Sequence, residues 1–146
     1  MRLSTRSRYG VRLMLELALN YGRGNIDLKE VAKNEDISLK YLSQIVIPLR
    51  QARLVISQRG SRGGYTLSRR PEEVSLKDIV QVLEGDLALV ECVRDGSSCR
   101  RASICVTQEI WAKLSRVIDD TLMTVTLADL VSRYNEKNCP AQTYDI

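Results

Sequence analysis

The 146-residue chain contains no histidine. Imidazole is therefore absent from each role it usually fills: acid-base catalysis falls to carboxylates, lysine or tyrosine, and metal ligation falls to thiolates and oxygen donors. No pairing of carboxylates in a recognisable pocket pattern takes up the catalytic part, so the chain does not read as an enzyme. It also lacks any apolar run approaching the ~18 residues of a membrane span. Its first residues, MRLSTRSRYGVRLML, turn polar or basic every few positions, without the apolar stretch or small-residue cleavage site of a signal peptide. The expectation is a cytoplasmic protein with no membrane partner, whose cysteines are reduced by default. Internal repeats and low-complexity tracts are missing too.

What is present divides unevenly. The length suits one domain with a real core. The formal net charge of +4 conceals a strong asymmetry about Pro71. Residues 1–70 hold 14 Lys and Arg against 5 Asp and Glu, whereas residues 71–146 hold 8 against 13. A basic N-terminal half points to a polyanionic partner, most simply nucleic acid, and an acidic remainder points to a different job.

Apolar periodicity supplies the order of elements. Val11, Met14, Leu15, Ala18 and Leu19 predict a helix over 9–21, stopped by Gly22 and Gly24. Asp27 and Glu30 have capping-box spacing ahead of a short helix through Leu28, Val31 and Ala32. Ser38 is placed to cap a third, with Leu39, Leu42, Ile45, Val46 and Leu49 inward and Pro48 expected to kink or restart it. Strands over 54–59 and 65–68 flank the glycine-rich loop Gly60-Ser61-Arg62-Gly63-Gly64. Beyond Pro71, Ser75 and Asp78 cap a helix ending before Gly85, and a long helix begins near Thr107. Its stripe of Ile110, Leu114, Val117, Thr121 and Val125, widened by Trp111, Ile118 and Leu122, has two faces to bury.

The fold class that results is mainly α with a small β-hairpin wing: a winged helix-turn-helix followed by a long C-terminal dimerisation helix. Residues 1–70 form the DNA-binding region, 71–90 a connecting helix, 91–107 a cysteine loop, 107–134 the dimerisation helices and 135–146 a flexible tail. Ser38, Lys40, Tyr41, Ser43 and Gln44 lie outward at the start of the third helix, where a recognition helix meets base edges; Gln44 suits adenine and Ser43 several bases. In the wing Arg59 and Arg62 suit a narrow minor groove, beside glycines such as Gly63 that allow close backbone approach. Arg2, Arg6, Arg8 and Lys40 suit phosphates. The wing loop lacks the G-K-[ST] ending of a nucleotide-binding P-loop.

Cys92, Cys99 and Cys105 fall within fourteen residues. Soft thiolates select zinc, copper(I) or iron-sulfur clusters, and intervals of six and five residues are longer than the knuckles of structural zinc sites. A thiol or disulfide redox switch uses the same residues.

The segments MRLSTRSRYGVRLMLELAL, ISLKYLSQIVIPLRQARLV, RGSRGGYTLSRRPEEVSLKDIV, the three-cysteine loop and WAKLSRVIDDTLMTVTLADLV together resemble the Rrf2 family of winged-helix transcription regulators over residues 1 to 133. The resemblance implies a homodimer, joined by crossing C-terminal helices, that binds a palindromic operator in double-stranded DNA. In members with three cysteines in this loop it implies an iron-sulfur sensor, [2Fe-2S] in the IscR-like branch, which regulates cluster-assembly genes. Cluster-assembly proteins are then the expected cluster donors. NsrR-like members sense nitric oxide, and CymR-like members, without these cysteines, regulate cysteine metabolism. Carried over, Cys92, Cys99 and Cys105 match the cluster ligands, while the IscR-like histidine position is Gln108 in Cys105-Val106-Thr107-Gln108. Asp95, Glu109 and Cys139 are further candidates for the fourth ligand. IscR-like members often carry glutamate where this chain has Ser43.

Overall fold

The computed structural model describes residues 2–139. Helix α1 (Thr5–Leu19) begins where the Ser4 side chain accepts from the Ser7 N–H, and it buries Ser7, Gly10, Leu13, Met14, Leu17 and Ala18. The expected face shared only Met14 and Ala18 with this one. Leucines stand at 13, 15, 17 and 19, so two adjacent stripes are equally apolar; the side-chain-free Gly10 lets Leu83 come close and decides which turns inward.

Helices α2 (Leu28–Glu35) and α3 (Leu39–Gln51) are joined by Asp36, which adopts a left-handed conformation (φ 53°), and by buried Ile37. Asp27 caps α2 by accepting from the Lys29 N–H at 2.8 Å, and Ser38 caps α3 through the Tyr41 N–H at 3.1 Å. Helix α3 passes through Pro48 to Gln51 as one element rather than restarting. Buried Ile45, Val46 and Leu49 hold this turn from the inside, while Gln44, whose carbonyl loses its i+4 donor, is on the wet side.

Strands β1 (Val55–Gln58) and β2 (Gly64–Leu67) pair antiparallel, Val55 opposite Leu67 and Gln58 opposite Gly64. Ile26 adds a bridge to Tyr65 through two backbone bonds of 3.0 and 2.9 Å, tying the wing to the turn after α1.

A turn at Pro71–Glu73 leads to α4 (Leu76–Glu84), started by a reciprocal Ser75–Asp78 capping box and packed on α1 and α3. The cysteine segment is a run of single turns: α5 (Glu91–Arg94), then short 3-10 turns at Gly96–Ser98 and Ala102–Ile104. Helix α6 (Val106–Thr124) lies against α4. Helix α7 (Leu127–Asn138) has a Thr126–Asp129 capping box and returns to α1. It continues four residues into the stretch expected to be a flexible tail, because Leu130 and Val131 pack on the core; residues 140–146 lie outside the described residues.

Among the described residues, every buried hydrophobic belongs to α1–α4, the wing, the turns between them, or is Leu127. Helix α6 buries none.

Candidate nucleic-acid interface and thiol loop

Lys40, Ser43 and Gln44 are exposed along one side of α3. The Ser43 hydroxyl donates back to the Leu39 carbonyl at 2.8 Å, which leaves its oxygen as an acceptor. Ser38 is occupied as the helix cap. Tyr41 departs from the expected outward set: its ring is half-buried and meets Tyr9 edge to face, with centroids 5.9 Å apart. Arg12 stacks over Tyr9 at 5.4 Å and pairs with Glu35 at 2.5 Å, so one chain of contacts joins α2, α1 and α3 beneath the recognition surface.

Arg2, Arg6 and Arg8 are exposed around the N-terminus of α1, where the helix dipole adds positive potential. That terminus is held by Glu84, which accepts from the Ser4 N–H at 2.6 Å. The hydroxyls of Ser4 and Ser7, that N–H and nearby Arg6 keep the Glu84 carboxyl below the usual glutamate range. Among the described residues, buried Ser7 Oγ has no hydrogen-bond partner besides this carboxylate.

Arg59 and Arg62 are exposed on the wing. Gly63 serves the backbone: a Cβ there would stand 2.6 Å from the Gln58 carbonyl oxygen and 2.9 Å from that of Gly60. Sequence reasoning missed Asn25, whose amide donates to Gln58 Oε1 at 2.7 Å and to the Arg62 carbonyl at 3.1 Å, fixing the wing tip. The available signal was a β-branched Ile26 isolated among turn residues.

The thiols occupy the passage between α4 and α6. Cys92 lies in α5, Cys99 is exposed between the two short turns, and Cys105 is the N-cap residue of α6. The Thr107 hydroxyl, 3.2 Å from Cys105 Sγ, the N–H groups of Gln108 and Thr107, and Arg101 all favour the Cys105 thiolate and lower its pKa. Gln108 Nε2 donates to the Cys92 carbonyl at 3.0 Å. Asp95 is committed locally: the Ser97 hydroxyl and N–H, at 2.7 and 2.9 Å, hold its carboxyl below the ordinary aspartate range. Glu109 is exposed in the first turn of α6, and Cys139 ends α7, which packs along α1 and the Pro71–Glu73 turn.

Among the described residues no three Cys, Asp or Glu side chains converge as a metal-binding group. By donor type the loop fits a thiophilic metal or cluster: three soft ligands lie on one short excursion, and one is already biased toward the thiolate that ligation requires. The arrangement is not a preformed cage; single turns separated by extended residues must draw together to make one.

Helix α6 leaves Ile110, Leu114 and Val117 about half exposed, at 53, 43 and 54%, with Trp111 beside them at 40%. Ile118 and Leu122 turn the other way and are partly covered. The stripe thus has the two faces its width predicted, one against its own chain and one open. No helix among the described residues is long and apolar enough to cross a membrane.

The model of the Rrf2 family, described as an iron-dependent transcriptional regulator, matches residues 3–133. The chain is 36% identical to protein rrf2 of Nitratidesulfovibrio vulgaris, over 100% of this chain and 96% of that protein. It is 39% identical to the HTH-type transcriptional regulator CymR of Bacillus subtilis, covering 90% of this chain and 91% of CymR. The solved structure of T. potens IscR superposes with a TM-score of 0.80 at 35% identity, covering 96% of this chain and 93% of that one. Helix-turn-helix, hairpin wing and trailing helices agree with this kinship, and a family match across nearly the whole length places the chain in the Rrf2 family of DNA-binding transcriptional regulators.

Proposed function

We propose that the chain is a homodimeric regulator that binds a palindromic operator through α3 and the wing and senses iron-sulfur status through a [2Fe-2S] cluster on Cys92, Cys99 and Cys105. The reading includes control of cluster-biogenesis genes and receipt of the cluster from assembly proteins. The observation that carries it is the position of the three thiols, on the one segment that leaves the DNA-binding unit at α4 and enters the open-faced helix α6. A bound cluster would supply a redox- and iron-sensitive crosslink between turns that are otherwise separate. The chain's own residues supply the coupling. Lys77 pairs with Asp119 at 2.6 Å, the Leu89 N–H donates to Ser115 Oγ at 3.2 Å, and Gln108 holds the Cys92 carbonyl. Reordering the loop therefore pulls on the first turn of α6 through Gln108, while the Lys77 and Leu89 contacts tie the body of α6 to α4 and the segment after it, and α6 sets the spacing of the two DNA-binding units in a dimer.

A second reading, a thiol-redox, nitric-oxide or cysteine-metabolism repressor on the same fold, is favoured by the identity with CymR and by the activated Cys105. Anaerobic purification separates the cluster reading from the thiol-redox and cysteine-metabolism readings. The cluster reading expects coloured protein with iron and acid-labile sulfide near two each per chain. Colourless protein that resists reconstitution, yet changes operator affinity on thiol oxidation, would favour a thiol-redox or cysteine-metabolism repressor.

A further inference from the structure

Ile47 lies seven residues after Lys40, four after Ser43 and three after Gln44, so all four share the outward face of α3. Leu42, Ile45, Val46 and Leu49 are buried on the opposite face, while Ile47 is 50% exposed. A branched aliphatic at the centre of a face otherwise made of lysine, serine and glutamine gains nothing from water. The major groove offers such a side chain one apolar group, the C5 methyl of thymine. We propose that Ile47 packs on a thymine methyl in each operator half-site and is a specificity-determining residue of this chain, an inference that rests on α3 being the recognition helix.

The spacing suits that role. A rise of about 1.5 Å per residue sets Ile47 about 4.5 Å along the helix from Gln44, a little over one base step of about 3.4 Å. The thymine therefore neighbours the base pair that Gln44 addresses. The hollow between α3 and β1 that Ile47 lines together with Ile56 is bordered by Arg50 and Ser57, a cation and a hydroxyl suited to the flanking phosphate.

The test uses the full chain and a random duplex library. Selected duplexes are remade with deoxyuridine for thymine one position at a time, which removes only the methyl, and binding is followed by fluorescence anisotropy. One thymine per half-site is expected to matter, with about a fourfold loss of affinity on its replacement. Ile47→Ala should bind thymine and uracil duplexes equally, and Ile47→Val should retain most of the discrimination; unchanged melting temperatures show that both variants fold. Enriched duplexes insensitive to uracil everywhere, or discrimination that survives in Ile47→Ala, overturn the role of Ile47 alone. A library from which no duplex is enriched overturns the recognition role of α3 and this inference with it.

Discussion

The side-chain amide of Gln108, in the first turn of α6, donates to the backbone carbonyl of Cys92 in α5 at 3.0 Å. The residue at the position where the family resemblance puts a cluster ligand is thus a brace between the start of the thiol loop and the first turn of α6. Gln108→Ala should cost roughly 1 kcal/mol of stability, as for an ordinary part-buried hydrogen bond. It should also speed amide exchange in Glu91–Arg94 without touching α3. If the brace is its whole role, iron content after anaerobic purification stays at the level of the unmodified protein. A loss of iron in the alanine variant would instead make Gln108 a ligand.

Much of this molecule is legible in its sequence, and the failures share a cause. Ser38, Ser75 and Thr126 declare their helices because a cap is a local bond between residues two or three apart. The open face of α6 follows from the width of one stripe. The buried face of α1 does not, because Leu13 and Leu15 are equally apolar and a contact of Gly10 with Leu83, 73 residues away, chooses between them. Helical spacing puts Tyr41 outward, but Tyr9 packs against its ring. Asn25 acts on Gln58 and Arg62, also across the fold. Local bonds are visible in sequence, and long-range partners are not.

That long-range contact is itself testable. A Cβ at Gly10 would come within 2.1 Å of Leu83 Cδ1 and 3.4 Å of Ile45 Cγ2. Gly10→Ala gains about 1 kcal/mol of helix propensity, but overpacking a buried crossing costs about 1–3 kcal/mol. The variant should melt lower than the parent. Adding Leu83→Ala removes the clash, so the double mutant should be more stable than the sum of the two single losses, a coupling that a thermal-melt cycle measures.

The Glu84 carboxylate at the N-terminus of α1 predicts an acid limb. Its pKa is depressed in the folded protein by Ser4, Ser7 and Arg6, so its stabilising contribution is complete above the ordinary glutamate value of 4.5 and fades as pH falls toward the lower folded value. Glu84→Gln should lower the urea midpoint at pH 7 and shrink the drop in midpoint between pH 7 and about pH 3.5. An acid limb of unchanged size in the variant would assign that loss to other carboxylates.

The open face of α6 makes the most demanding prediction, because it joins the fold to function. Ile110, Leu114 and Val117 are half exposed on a helix that buries no residue within its own chain. In a dimer they become the centre of an apolar seam. Replacing Leu114 and Val117 together by glutamate places unpaired carboxylates there, at a cost of several kcal/mol, so the dimer dissociation constant should rise at least about 100-fold. Sedimentation should show monomers with unchanged helix content, since neither residue supports the core around α1–α4. Operator binding should fall further than the affinity of one half-site requires, because two recognition helices no longer arrive on one rigid body. A variant that stays dimeric at micromolar concentration would move the interface away from α6 and remove the mechanical link from thiol loop to DNA.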